Sequence, residues 1–255
     1  MAHPDPHTAG PRQGPHPHDA AKPHAAAGPR RGQRVRGARL LLLVGGCVSV
    51  LLGTLLARPV GASPPGIPDP ETARAELAEL ATAPEGSMAG YARERFPHWI
   101  TTDGCTTRQW VLRRDGEGVE VDEDCRPTSG TWHSPYDGAT LDAPSEVDID
   151  HVVPLAESWR SGAAGWTEDR RRSFANDLEN PQLIAVSAAA NRSKGDQDPA
   201  DWQPVEESYH CTYAAMWIDV KYEWGLTVDE EERAALQDML GACGPAGGDS
   251  GISES

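Results

Sequence analysis

The sequence lacks any pair of cysteines spaced as CxxC, the pattern from which many structural zinc sites are built. Of its 5 cysteines, Cys47 lies in an apolar N-terminal run, and the other four form an even set without metal-ligand spacing. We therefore expect two disulfides, which form in an oxidising compartment. Three connectivities are open, and we favour the pairs that are local in sequence, Cys105 with Cys125 and Cys211 with Cys243.

Basic side chains are scarce in the part of the chain that should fold. Residues 63–255 hold 15 of the 23 Lys and Arg but 37 of the 39 Asp and Glu, which gives a formal net charge of −22. A surface of this charge repels phosphate polyanions. A protein of this composition can therefore bind nucleic acid only where a metal ion and a few basic side chains supply a local positive site.

Large apolar residues are almost absent from residues 1–39, which consist mainly of His, Pro, Ala, Gly and Arg. A segment with so little to bury is expected to be disordered. Its five histidines could bind metal, but a biased, solvated leader is the favoured interpretation. They are His3, His7, His16, His18 and His24.

An apolar run, "LLLLVGGCVSVLLGTLLA", occupies residues 40–57 behind several arginines and is followed by "VGA". This layout predicts a secretory signal with cleavage after Ala62 and a secreted, extracellular product. The run is also just long enough to remain as a membrane anchor. Two smaller hypotheses concern a translation start near Val35 and lipidation of Cys47, and the second is disfavoured because Cys47 lies inside the run.

The remaining sequence predicts one folded domain over residues 85–243, preceded by a linker and short helix over 63–84 and followed by a flexible tail over 244–255. The pattern "ETARAELAELA" predicts a helix over about 70–81. Two runs joined at Asp115-Gly116 predict a hairpin. Later segments predict helices that begin at Thr167, Ser187 and Thr227.

Three short segments carry the polar residues of a possible site: "DIDHVVPL" at 148–155, "ENPQLIAVS" at 179–187 and "NRSKGD" at 191–196. The first two read as strands and the third as a helix. Together they predict a strand–strand–helix unit that could gather its side chains around one divalent ion. Because adjacent strand residues point to opposite faces, we expect a strand end or bulge at Asp150-His151.

In these segments the sequence resembles the HNH endonucleases, the ββα-metal family, and most closely secreted bacterial members related to the nuclease domain of GmrSD-type restriction enzymes. The resemblance assigns His151, Asn180 and Asn191 to the three signature positions. It implies an α+β fold with a ββα-metal core, additional helices, an N-terminal hairpin region and disulfide bracing in place of the missing CxxC knuckles. It also implies that Asn180 orients the loop that carries the histidine.

The chemistry of phosphodiester hydrolysis suits these residues. Neutral imidazole has a pKa near neutral pH, so His151 can take a proton from water as general base. Asp150 and Asn191 offer oxygen ligands for one divalent ion, most naturally Mg²⁺ with Mn²⁺ or Ca²⁺ as substitutes. Asp148 is a further ligand or, as we favour, the solvent face of the strand.

Lys194 and Arg192 are the candidates for contact with the substrate phosphate, and "RRR" at 170–172 could add a cationic edge, although a solvated helix face is the commoner role. His98, His133 and His210 lie near aromatic residues, so hydrogen bonding is favoured over metal ligation for each.

The sequence thus predicts a secreted, metal-dependent endonuclease of low sequence specificity that acts on DNA, with RNA as a possible second substrate. We expect no stable protein partner, and a membrane association only if the leader stays uncleaved. Two alternatives are open: a non-catalytic, acidic extracellular protein that holds a structural ion, and a toxin nuclease delivered to other cells.

Overall fold

The computed structural model describes residues 63–244, and the predictions for the leader, the apolar run and most of the C-terminal tail lie outside this range. Helices are α1 (Pro70–Glu79), α2 (Thr107–Asp115), α3 (Leu155–Arg160), α4 (Glu168–Ala175), α5 (Ala188–Lys194), α6 (His210–Trp224) and α7 (Glu230–Gly241). Strands are β1 (Thr101–Thr102), β2 (Cys105–Thr106), β3 (Gly116–Val121), β4 (Pro127–His133), β5 (Thr140–Leu141), β6 (Val147–His151) and β7 (Leu183–Ser187). The fold is α+β, as predicted.

The strand–strand–helix unit is present at the expected place. Strands β6 and β7 pair antiparallel without a bulge, from Val147 opposite Ser187 to His151 opposite Leu183. Helix α5 follows β7 directly, and the Ser187 hydroxyl caps it by accepting the amide of Ala190 at 3.0 Å. His151 is the last residue of β6, which confirms the predicted strand end.

Strand β7 is buried along its whole length because both faces of the two-stranded sheet are covered. On one face, Ile149 and Ala185 pack with residues of α2 in a small apolar cluster. On the other face, Ile184 and Val186 join the main core around α6. A strand covered on both faces reads as a continuous apolar run, which explains the segment "LIAVS".

The hairpin predicted at Asp115-Gly116 is wrong, because the residues before this point form helix α2. A capping box between Thr106 and Gln109 starts the helix. Gly116 then begins β3, and a Cβ atom there would lie 2.5 Å from Nε1 of Trp132. The glycine therefore permits close packing of strand against tryptophan, and its φ of −97° with ψ of 155° is extended backbone and not a turn. The hairpin of this region is instead β3–β4, to which β5 adds as a third strand.

Both predicted disulfides are confirmed. Cys105 pairs with Cys125, with Cα atoms 5.5 Å apart, and so ties the segment before α2 to the β3–β4 loop. Cys211 pairs with Cys243, with Cα atoms 5.0 Å apart, and so joins the first turn of α6 to the end of α7.

The cap predictions had mixed outcomes. Thr167 caps α4 as expected, and α1 spans nearly the predicted range. Thr227 does not begin α7. Asp229 caps this helix in a capping box with Glu232, because the carboxylate of Asp229 accepts the Glu232 amide at 2.8 Å.

A buried charge network ties α3, which follows the His151 loop, to α6 and α7. The ammonium group of Lys221 is fully buried and lies 2.9 Å from an oxygen of Glu157 and 2.7 Å from one of Glu232. No helix between residues 63 and 244 is both long and apolar enough to span a bilayer.

Candidate active site

The ring of His151 is held in one orientation inside the protein. The residue is 5% exposed, and its Nε2 lies 3.0 Å from the backbone oxygen of Ala175 in α4. A carbonyl oxygen can only accept a hydrogen bond, so Nε2 carries the proton and Nδ1 of the neutral ring has a free lone pair. The arrangement fixes the tautomer that a general base acting through Nδ1 requires.

The charge state of His151 follows from its burial. Burial lowers the pKa of the imidazole from 6.5 to about 3, and the nearby positive charges of Arg93, His98 and Lys194 act in the same direction. The hydrogen bond to Ala175 acts against this shift. The ring is therefore neutral at physiological pH.

Two aromatic rings lie next to His151. The ring centroid of Trp99 lies 5.4 Å from that of His151 at a tilt of 34°, and the ring of His98 lies 6.2 Å away. Trp99 has a φ of 59°, which is strained for a non-glycine residue. Such strain is often found at functional sites.

Asp150 precedes His151 in β6 and belongs to a buried ion pair. Its carboxylate oxygens accept from the ammonium of Lys194 at 3.0 Å and from the hydroxyl of Tyr136 at 2.8 Å. Lys194 also donates to the backbone oxygen of His151 at 2.9 Å. Burial raises the pKa of Asp150 and lowers that of Lys194, while their mutual attraction opposes both shifts.

The place of Lys194 does not match its predicted role in phosphate contact. The side chain is 0% exposed, so its ammonium group is enclosed by Asp150 and the His151 backbone and is not offered to a bound phosphate. Its visible task is to hold α5 against the end of β6. Arg192, the other candidate, lies exposed on α5.

A cleft of about 80 Å³ opens beside these residues. Its walls include His151, Asp150 and Asn191 from the ββα unit and Arg93 from the segment before β1. Asn191 donates its Nδ2 to a carboxylate oxygen of Asp148 at 3.2 Å. The structure thus brings three of the predicted site residues to one cleft.

Asn180 lies apart from the cleft walls. Its backbone amide and its Nδ2 donate to the carboxylate of Asp177 at 3.0 Å and 2.9 Å. The loop after His151 is held instead by Gln182, which is 0% exposed. The Gln182 side chain accepts the Val153 amide at 3.0 Å and donates to the Val153 oxygen at 2.9 Å.

The three arginines at 170–172 are occupied by contacts within the protein. Arg170 donates to the Trp224 oxygen at 2.7 Å, and Arg171 is buried and donates to the Arg95 oxygen at 3.0 Å. Arg172 pairs with Asp169 at 2.9 Å. They therefore brace α4, and this helix supplies the carbonyl that holds His151.

The other three histidines between residues 63 and 244 make hydrogen bonds, as the sequence favoured. His98 lies 2.7 Å from the Phe96 oxygen, His133 lies 2.9 Å from the Thr140 hydroxyl, and His210 lies 2.7 Å from the Pro204 oxygen.

Among the described residues, a group of three acids could in principle hold an ion: Glu85, Asp198 and Asp229, whose oxygens lie within 4.8 Å of one another. Glu85 is already paired with Arg160 at 2.9 Å. None of the three lies on the wall of the His151 cleft.

The donor atoms on the cleft wall fit a small, hard divalent cation. Both carboxylate oxygens of Asp150 lie 3.0 Å from Nζ of Lys194, and Oδ2 also accepts from the Tyr136 hydroxyl, so the remaining lone pair is on Oδ1. Oδ1 of Asn191 has no hydrogen-bond partner between residues 63 and 244, given the contact of its Nδ2 with Asp148. A few protein oxygens beside room for water is the kind of site that Mg²⁺ takes.

Sequence reasoning missed three residues of this region: Tyr136, Gln182 and Arg93. Each is distant in sequence from the residues that it contacts or lies beside: Tyr136 is 14 positions from Asp150, and Gln182 is 29 positions from Val153. Only Gln182 gave a signal, because a polar residue inside the apolar run "PQLIAVS" needs buried hydrogen-bond partners.

Comparisons with known proteins define the class of this chain. Residues 111–239 match the family model described as the C-terminal domain of GmrSD restriction endonucleases. A protein of Arthroderma benhamiae described as an uncharacterized secreted protein is 55% identical over 192 residues, which cover 74% of this chain and 94% of the relative. No solved structure matches the chain.

The matched segment contains the whole ββα unit, and the class it defines is that of nuclease-type enzymes. The chain belongs to the family of the GmrSD restriction endonuclease C-terminal domain. The resemblance to secreted bacterial members therefore holds for the family, while the relative named above is fungal.

Proposed function

We propose that this protein is a secreted, metal-dependent endonuclease of the HNH type that hydrolyses phosphodiester bonds of DNA with low sequence specificity, with RNA as the second candidate substrate. The observation that carries the proposal is His151: a neutral imidazole with its tautomer fixed by Ala175, on the wall of a cleft that also holds Asp150 and Asn191. Family membership supports the nuclease class.

His151 acts as general base in this proposal. Its Nδ1 takes a proton from the attacking water, and the bond from Nε2 to Ala175 stabilises the imidazolium that results. Gln182 binds the backbone of Val153, and Lys194 binds the backbone oxygen of His151 itself. These contacts limit the movement of the base relative to the cleft.

Asp150 and Asn191 would hold the divalent ion, for which Mg²⁺ is the first candidate and Mn²⁺ or Ca²⁺ are substitutes. When bound, the ion supplies positive charge that stabilises the charge building on the phosphate oxygens. Asp150 is oriented for this by Tyr136 and Lys194, and Asn191 by Asp148. Asn180 supports the Asp177 loop that precedes β7.

Secretion is proposed from three observations. The relative from Arthroderma benhamiae is described as secreted, this chain has two disulfides, and its N-terminal sequence predicts a signal. Low sequence specificity is proposed because the described residues hold no separate recognition module beside the ββα unit and its supporting helices.

The test is degradation of plasmid DNA and of RNA by oxidised protein spanning residues 63–255, with Mg²⁺ or with EDTA. We expect metal-dependent cutting by the wild type and a loss of about 10²-fold or more in His151→Ala. His133→Ala is the matched control, because it removes an exposed histidine outside the cleft and should keep full activity. Folded wild type without cutting in Mg²⁺, Mn²⁺ or Ca²⁺ would overturn the proposal.

The second candidate function is non-catalytic binding of a structural ion. The net charge of −22 over residues 63–255 and the enclosure of Asp150 by its ion pair favour it. In that case Ca²⁺ or Mg²⁺ should raise the Tm of the wild type and of His151→Ala equally, and neither protein should cut.

A further inference from the structure

The cleft beside His151 has a cationic side chain on its wall that the ββα unit does not supply. Arg93 lies in the 3₁₀ turn Arg93–Arg95, which precedes the ββα unit by more than fifty positions, yet it lines the same cleft as His151 and Asn191. Between residues 63 and 244, no hydrogen bond or ion pair engages its guanidinium group, and the residue is exposed.

The turn that carries Arg93 is anchored on the adjoining core. Phe96 is 0% exposed, and its amide donates to the Arg93 oxygen at 3.0 Å. Arg171 of α4 donates to the Arg95 oxygen at 3.0 Å, and α4 also supplies the carbonyl of Ala175 that orients His151. One helix thus positions both the base and the arginine turn.

An acidic protein needs a local cation to hold a phosphodiester, and the cleft offers few. Residues 63–255 have a formal net charge of −22, and the ammonium of Lys194 is enclosed. The His151 ring accepts the water proton in the proposed reaction and so enters it uncharged, and Asn191 has no charge. Among the described residues that line the cleft, Arg93 alone bears an accessible positive charge.

We propose that Arg93 binds the phosphate group of the substrate in the His151 cleft. This inference rests on the proposed nuclease function. Its planar guanidinium can donate two parallel hydrogen bonds to one phosphate and stays charged at every pH of interest. It thereby places the phosphorus atom against the water that His151 activates.

The reaction that Arg93 supports is hydrolysis. The water oxygen forms a bond to phosphorus while the bond to the leaving oxygen breaks, the water proton moves to Nδ1 of His151, and the leaving oxygen takes a proton from solvent. Arg93 keeps its own proton throughout and balances the charge that builds on the phosphate oxygens.

The first experiment compares Arg93→Ala and Arg93→Lys with Arg113→Ala. Arg113 is an exposed arginine on α2 that has no partner among the described residues and does not line the cleft, so its removal changes the net charge equally. We expect kcat/KM on DNA to fall about 10- to 100-fold in Arg93→Ala, to recover partly in Arg93→Lys and to change less than about twofold in Arg113→Ala. Unchanged Tm values would show that the fold is intact.

The second experiment measures binding without turnover. A short fluorescein-labelled DNA duplex is titrated with His151→Ala at several salt concentrations, with and without the added Arg93→Ala or Arg113→Ala substitution. Loss of a phosphate contact should weaken binding and reduce the slope of log K against log salt by about 1 in the Arg93 variant only.

The two proposals fail in different ways. An inactive wild type would overturn the nuclease function itself. An active wild type whose Arg93→Ala variant matches Arg113→Ala in kcat/KM and in salt slope would overturn the role of Arg93 and leave the nuclease function standing.

Discussion

Replacement of Lys194 by methionine is expected to destabilise the protein strongly, because it leaves the carboxylate of Asp150 buried without its cation. Methionine keeps most of the aliphatic volume, so the change isolates the loss of charge. After the substitution, Asp150 retains only the Tyr136 hydroxyl at 2.8 Å and is still 5% exposed. Removal of one partner from a buried ion pair costs about 3 to 5 kcal/mol.

The loss can be measured by urea denaturation in EDTA, followed by tryptophan fluorescence. With m of about 2 kcal/mol/M, a loss of this size lowers the midpoint by about 1.5 to 2.5 M. The double variant Asp150→Asn/Lys194→Met removes both charges and should recover a large part of the loss.

An exposed ion pair supplies the control. Arg126 contacts Asp124 at 3.0 Å with both side chains more than 60% exposed, so Arg126→Ala should cost less than about 1 kcal/mol. If Lys194→Met shifts the midpoint no further than Arg126→Ala, then loss of Lys194 does not leave a costly unpaired charge at Asp150, and the argument is refuted.

Three other predictions concern the pKa of His151, the contact between Gln182 and Val153, and the disulfide that joins α6 to the segment after α7. The unfolded chain binds a proton at His151 below about pH 6.5, but the folded chain does so only below about pH 3. The free energy of unfolding should therefore decrease as the pH is lowered from 6.5 to 3, by up to about 1.4 kcal/mol per pH unit. His151→Gln should flatten this slope in urea titrations run at each pH, and an unchanged slope would contradict the lowered pKa of His151. Gln182→Leu leaves the amide and carbonyl of Val153 without partners and should cost about 2 to 4 kcal/mol by the same assay, whereas a loss below about 0.5 kcal/mol would show that these two bonds matter little. Cys211→Ser/Cys243→Ser opens a loop of 32 residues and should cost about 3 to 4 kcal/mol, measured as a fall in Tm, and a loss below about 1 kcal/mol would contradict this estimate.

The boundaries of several elements could be read from the sequence because their signals are local. Ser187 and Thr167 cap the helices that follow them, and alternation within "EVDIDH" marks a strand that ends at His151. The dipeptide Asp115-Gly116 led to a wrong prediction because Asp-Gly occurs both in hairpin turns and where a helix ends at Asp and is followed by a closely packed glycine. The distinction depends on Trp132, which packs where a Cβ of Gly116 would lie.

The candidate site was only partly visible in the sequence for a related reason. Residue types and short spacings pointed to His151, Asp150 and Asn191, which the structure brings to one cleft. They could not show that Lys194 is enclosed, that Gln182 rather than Asn180 contacts the loop after His151, or that Arg93 reaches the cleft.

The sequence by itself determined the ββα unit, the number of disulfides and the family, because caps, strand alternation, cysteine count and short motifs can be read from the sequence alone; the disulfide pairing was one of three open connectivities until the structure showed it. Tertiary structure decided which charges are buried and which are accessible. Lys194 and Arg93 are both basic residues, but one is paired inside the core and the other faces the cleft. Burial and pairing depend on segments far apart in the chain, and they set the pKa of His151 and the charge that a substrate meets.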